Sequence, residues 1–149
     1  MESIDSSKGG IGWEDRIPEG IFEAQEALTS CLKELGVPNN SLILGGFSQG
    51  SVMAVDYALR QSLSLLGLVI FSGTICMKKQ WSELLNKNSL PSFIQSHGTD
   101  DALLGFEDAK KLFSLLEANS KGEFFKFSGG HEIPNQVLKE FICYTNERK

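Results

Sequence analysis

One serine, two histidines and a pair of adjacent aspartates are spaced along this 149-residue chain in a way that suits nucleophilic acyl chemistry. Ser48 lies in Gly46-Phe47-Ser48-Gln49-Gly50, between the apolar run Leu42-Ile43-Leu44 and the helix-forming Ser51-Val52-Met53-Ala54-Val55. That is a G-x-S-x-G elbow in the strand–turn–helix setting that lifts a serine hydroxyl above a sheet edge. Its glycines let a cramped backbone make the turn. A serine hydroxyl at its ordinary pKa is a poor nucleophile and needs an imidazole to take its proton. The imidazole in turn needs a carboxylate to fix its tautomer and stabilise its charged form. His131, in Ser128-Gly129-Gly130-His131-Glu132, follows both candidate acids, Asp100 and Asp101, and so gives the order Ser…Asp…His that accompanies this elbow. The Gly-Gly pair before it permits a close backbone approach. His97 precedes both acids and breaks the order; it reads as a turn residue whose ring bonds nearby backbone. Glu132 reads as the exposed first-turn acid of the last helix. Spacing leaves Asp100 and Asp101 equivalent, since both sit in one turn and either could cap the following helix. The Gln49 N–H, next after the nucleophile, is the expected oxyanion donor. No His, Cys, Asp or Glu grouping has metal-ligand spacing, so neither a metal nor a cofactor is expected.

These residues need rigid carriers, and the hydrophobic pattern supplies them. Ile21, Ala24, Ala27, Leu28, Cys31, Leu32 and Leu35 recur at a helical period, with Gly36 and Pro38 as stops. Leu42–Leu44 reads as a strand buried on both faces, and Val52–Leu59 as the helix after the elbow. Further strands are expected over Leu66–Phe71, Pro91–Ser96 and Glu123–Phe127. Helices are expected around Trp81–Leu85, over Phe106–Leu116 with Glu107 and Asp108 in the first turn, and after Pro134. Strands alternating with helices make a parallel sheet with right-handed crossovers, and reactive groups gather at the carboxyl ends of its strands. Ser48, the His97–Asp101 segment and His131 all fall at such ends. The fold class is α/β, over one domain spanning residues 1–149.

Composition excludes several partners. The chain is 41% apolar and 22% charged, as globular proteins are, and its net charge of −5 argues against a phosphate backbone as ligand. Leu65–Phe71 is the longest apolar run and far too short to span a bilayer. Lys78, Lys79 and Lys149 are solvated charges rather than a membrane anchor. The amino terminus, Met-Glu-Ser-Ile-Asp, has no h-region, and Cys31, Cys76 and Cys143 are odd in number and widely spaced. A reducing, cytoplasmic location is expected.

Leu44-Gly45-Gly46-Phe47-Ser48-Gln49-Gly50-Ser51, His97-Gly98-Thr99-Asp100-Asp101 and Gly130-His131-Glu132 together closely resemble the phospholipase/carboxylesterase family, which includes the acyl-protein thioesterases. The resemblance implies an α/β-hydrolase fold and a serine hydrolase of carboxylic esters or acyl thioesters. The H-G-x-x-D pattern of that family maps its acid onto Asp101, and its final G-H onto His131. Gly9-Gly10 with Trp13 is similar to the family's G-G-x-x-W-[FY]-D segment. Nothing before Ser48 resembles the L-H-G-x-G-D-type loop that supplies a second oxyanion donor in such enzymes. The chain therefore reads as the carboxyl-terminal two-thirds or so of a hydrolase, with Gln49 as its remaining donor. Loss of one donor costs about 10²–10³ in kcat in a well-studied case. The Leu42–Leu44 strand is then a bare sheet edge open to a second copy of the chain. The expected substrate is a small ester or an acylated protein, with an apolar acyl pocket drawn from Thr74, Ile75, Cys76 and Met77. The alternative is a catalytically impaired chain that serves as a binding or interaction module.

Overall fold

The computed structural model describes residues 12–61 and 64–148. Gly9 and Gly10 of the family-like segment lie outside the described residues, as does Lys149. After a short 3-10 turn at Trp13–Asp15 the order is α1 (Ile21–Leu35), β1 (Ile43–Phe47), α2 (Gln49–Gln61), β2 (Gly67–Phe71) and α3 (Lys78–Lys87). It continues with β3 (Phe93–Gly98), α4 (Phe106–Glu117), β4 (Gly122–Phe127) and α5 (Asn135–Asn146). The four strands are parallel and lie in the order β1-β2-β3-β4.

Right-handed crossovers that always step in one direction put every connecting helix on the same sheet face. The larger core lies there, where α2, α3 and α4 bring Val55, Leu59, Trp81, Leu112 and Leu116 against Leu68, Ile70 and Phe93. The other face is covered by α5, whose Tyr144 packs with Val69 and Ile94 beside the half-buried Phe71, Phe125 and Phe141. The Tyr144 hydroxyl donates to the Ser92 carbonyl at 2.9 Å and fixes the depth at which α5 docks.

Two elements are less buried than their patterns predict. β2 and β3 are enclosed on both faces, whereas β1, like β4, is an edge strand among the described residues, as the bare edge expected of Leu42–Leu44 requires, with Ile43 and Leu44 half-buried and Gly45 and Phe47 exposed. An apolar run cannot report its place in the sheet order, and the expectation of full burial for Leu42–Leu44 fails on that account. The helix α1 spans the expected residues but buries only Ile21 and Gln25. It meets α2 through Gln25 and Thr29, whose Oγ1 lies 3.2 Å from the Tyr57 hydroxyl; Cys31 and Leu35, beyond that contact, are exposed. No helix among the described residues is long and apolar enough to cross a membrane.

Candidate active site

The carboxyl ends of the strands carry the reactive residues. Ser48 follows β1 directly, with φ at 57°, in the left-handed region that costs a residue with a Cβ. The turn is held there by hydrogen bonds on both sides. The Ser48 N–H donates to Phe71 O at 2.8 Å, and Ser48 O accepts the Ser51 N–H at 3.0 Å. Gly46 is required by close approach, since a Cβ there would collide with the Gly50 carbonyl. α2 begins at Gln49, so the positive end of its dipole faces the serine, and no acceptor engages the Gln49 N–H among the described residues.

His131 lies in the turn after β4 and reaches back across two strands to Ser48. Its Nε2 is 2.9 Å from Ser48 Oγ, and its Nδ1 is 2.7 Å from Asp101 Oδ2. Asp101 Oδ1 accepts the backbone N–H groups of Leu103 and Leu104, each at 2.9 Å. Burial works against a charge on this carboxylate. The Leu104 and Leu103 amides and the His131 ring outweigh it and hold its pKa below the ordinary value. An imidazole held by a carboxylate on one side and facing a hydroxyl on the other can take up the hydroxyl proton.

The four other expectations at the strand ends divide. Asp100 is exposed and its N–H bonds Gly129 O at 2.9 Å, so it takes no part in the Asp101–His131 contact. Neither aspartate caps α4, whose N-cap is Gly105 with no side-chain bond. Glu132 is exposed, but α5 begins only at Asn135, so Glu132 is not a first-turn residue. Pro134 delays the helix because its ring keeps the preceding Ile133 out of the helical region, and α5 starts only after it. The close approach expected at Gly129-Gly130 is made at Gly129, where a Cβ would lie 2.7 Å from Glu132 Oε1, and is shared by Gly98. A Cβ on Gly98 would meet the carbonyls of Gly129 and Gly130, whereas one on Gly130 would meet nothing. His97 closes β3 rather than following it, is fully buried, and bonds Leu104 O through Nε2 at 2.7 Å.

The residues expected to line an acyl pocket are buried in the core, although Ile75 also lines a groove between α3 and α4. Thr74, Ile75, Cys76 and Met77 are all at most 1% exposed. Burial pushes the Cys76 thiol up to about 12, which leaves it inert. A groove of about 260 Å³ opens beside the elbow at another place, between the starts of α1 and α2. Pro18, Ile21, Ala24, Val52 and Met53 line it, together with Gln49 and Gly50. No group of three or more His, Cys, Asp or Glu side chains among the described residues is disposed to hold a metal ion.

Three supporting residues carry no advance signal. Ser72 ends β2 in the same left-handed region as Ser48, with φ at 51°, and its hydroxyl donates to Glu132 O at 3.3 Å beside His131. Phe47 lies with its ring centroid 4.9 Å from that of His131. Leu104 supplies both an amide to Asp101 and a carbonyl to His97. Only the elbow position of Phe47 could have drawn attention to it.

The arrangement has counterparts among known proteins. Acyl-protein thioesterase 1 of Yarrowia lipolytica is 34% identical over 138 residues, which is 87% of this chain and 60% of that protein. The crystal structure of Arabidopsis thaliana SOBER1 superposes with a TM-score of 0.76 at 26% identity, covering 89% of this chain and 67% of that one. That of esterase PE8 gives 0.78 at 24% identity over 87% of this chain and 62% of its own, a likeness of fold. The fold is that of the α/β-hydrolase esterases. The chain spans 45% to 60% of the length of the thioesterases of Debaryomyces hansenii, Kluyveromyces lactis and Yarrowia lipolytica that it matches. The Phospholipase/Carboxylesterase family profile matches residues 6–147. With nearly the whole sequence inside that match, the chain belongs to the phospholipase/carboxylesterase family.

Proposed function

We propose that this chain is a serine hydrolase that cleaves carboxylic esters or acyl thioesters through an acyl-enzyme on Ser48. The observation that carries the reading is the continuous line Ser48 Oγ–His131 Nε2 at 2.9 Å and His131 Nδ1–Asp101 Oδ2 at 2.7 Å. Ser48 Oγ attacks the acyl carbonyl while His131 Nε2 takes its proton, and the Asp101 carboxylate stabilises the imidazolium without itself being protonated. The tetrahedral oxyanion develops toward the Gln49 N–H at the positive end of α2. Collapse breaks the bond to the alkoxide or thiolate, which leaves with the proton from His131. Water then attacks the acyl-enzyme, giving its proton to the same nitrogen, and the carboxylic acid departs as Ser48 regains its hydrogen. The groove lined by Ile21, Ala24, Val52 and Met53 suits the apolar acyl part of such a substrate. The acyl-protein thioesterases among its relatives support an acylated protein as one substrate class, beside small esters. The cysteines, none in a disulfide, fit a cytoplasmic site of action.

The reading is tested by labelling the purified chain with a fluorophosphonate probe beside Ser48→Ala, then by comparing matched acyl esters and thioesters. Labelling that depends on Ser48, followed by turnover, is the expected result. A folded chain that neither labels nor turns over defeats the reading and favours an acyl-binding module with an inert serine.

A further inference from the structure

We propose that His97 is a positioning residue for the reactive line, a permanently neutral imidazole whose Nε2–H holds the 101–104 turn and braces the Asp101 carboxylate against His131. As it bears on turnover, the inference rests on the role of Ser48, His131 and Asp101 given above.

The hydrogen-bond accounting fixes the tautomer of this ring. His97 Nε2 lies 2.7 Å from Leu104 O, which can only accept, so Nε2 carries the hydrogen. Nδ1 is buried and has no partner among the described residues. Protonating it would create an N–H with nothing to bond, at the cost that accompanies any stranded buried donor. Burial pushes the ring below its ordinary pKa, against the opposing pulls of the Leu104 carbonyl and the Asp101 charge, and the nearby His131 ring adds to the depression. The charged or titratable groups around it are therefore Asp101 and His131. Lys126 stands beside it in register on β4 but is exposed, and the Phe106 ring of α4, 6.2 Å away, carries no charge.

The same bond reaches both oxygens of Asp101. Leu104 gives its N–H to Asp101 Oδ1 while its carbonyl is held by His97, so the ring fixes the residue that fixes the carboxylate. Oδ2, which receives His131, also lies 3.4 Å from His97 Nε2. That N–H is spent on Leu104 O, so the ring acts on Oδ2 only as a neighbouring dipole and not as a hydrogen-bond donor. With the Leu103 amide as the only other donor to Oδ1 among the described residues, freeing Leu104 lets the carboxylate rotate away from the 2.7 Å contact with His131.

The test compares two amides of equal polarity but different reach. The side-chain nitrogen of His97→Gln falls where Nε2 stood, whereas that of His97→Asn falls near Nδ1 and cannot reach Leu104 O. Fluorophosphonate labelling of the unsubstituted chain, with Ser48→Ala as control, first establishes the hydrolase reading by itself. His97→Gln is expected to keep kcat within about threefold. His97→Asn is expected to lose kcat roughly tenfold to a hundredfold with KM unchanged, the size of effect that removing an outer hydrogen-bond partner has at histidine sites elsewhere. The low-field proton resonance of the Asp101–His131 bond should persist in the first variant and broaden or shift in the second. Equal kcat and equal low-field resonances in the two variants would overturn the proposal. Nitrogen-15 spectra of the unsubstituted chain add a readout that needs neither turnover nor a folded variant. With only two histidines present, His97 should appear as a neutral Nε2–H ring throughout the range in which an ordinary histidine titrates. A charged His97 there, or the opposite tautomer, would equally overturn it.

Discussion

Asp56 and Asp101 are both carboxylates with no exposed side-chain surface, yet the fold holds them in opposite ways. Asp56, in the middle of α2, is saturated by three side chains from three helices. Gln25 Nε2 of α1 donates to it at 2.7 Å, Arg60 Nε at 2.9 Å to each oxygen, and Trp81 Nε1 of α3 at 2.9 Å. Asp101, in a loop at the sheet end, takes two fixed backbone amides on one oxygen and gives the other to His131, whose ring is only partly buried. The first carboxylate staples elements together and has no capacity left. The second is fixed on one side so that its other side can act on a group that meets solvent. A buried acid is open to chemistry here because of the donor it is paired with, not because it is buried.

Substitutions should separate the two roles. The largest effect is expected from Asp101→Asn. Its oxygen still accepts Leu103 and Leu104, so the fold persists, but its amide presents a hydrogen to His131 Nδ1 and forces the wrong tautomer. A drop in kcat of up to about 10⁴ is expected from steady-state ester hydrolysis. Equal activity would move the acid role off Asp101. Next comes Asp56→Ala, which strands Arg60, Trp81 and Gln25 together and should cost about 3–5 kcal/mol in chemical denaturation. Labelling of Ser48 per folded molecule should be unchanged, and a specific loss of labelling would erase the contrast between the two acids.

Acid sharpens the comparison further. Asp101 has a depressed pKa in the folded state, so the unfolded chain binds the extra proton. The stability it contributes is therefore present above the ordinary carboxylate value of 3.8 and is lost as pH falls below it. His97 is also depressed, so the unfolded chain takes up a proton first as pH falls through 6.5, and stability declines from there. Denaturation midpoints against pH should show both declines, with Asp101→Asn removing the lower and His97→Gln flattening the upper. The smallest effect is expected from Phe47→Ala, which removes the ring beside His131. An exposed aromatic–cation contact is worth about 0.5–1 kcal/mol, so kcat should fall only about two- to fivefold.

The legibility of the chain followed the same division. Ser48, His131 and Asp101 could be read because strand-end chemistry is written locally, in an elbow and in short glycine-bearing turns, and because the family resemblance singled out Asp101. The strands and helices could be read from period alone to within a few residues. The Asp56 staple could not, because Gln25, Asp56 and Trp81 are far apart in sequence and only the Asp56–Arg60 spacing of one helical turn is local. The edge place of β1 came from the family resemblance and not from its apolar run, which pointed to full burial, and the burial of Thr74–Met77 had no local signal at all. Those residues look like an exposed loop after a strand, yet Met77 turns through the left-handed region at φ 43° and α3 folds them inward.

Because β1 and β4 are the two edge strands among the described residues, Ser48 and His131 sit at opposite margins of the sheet, with Asp101 after the inner strand β3. Ser48 and His131 stay in register only while β1 remains zipped to β2 through five residue pairs. Amide exchange should therefore be faster along Leu44 and Gly45 than along Ile94 and Gln95. Covalent trapping by a mechanism-based probe would then report on edge fraying long before circular dichroism detects melting. The reactive centre doubles as the molecule's own strain gauge.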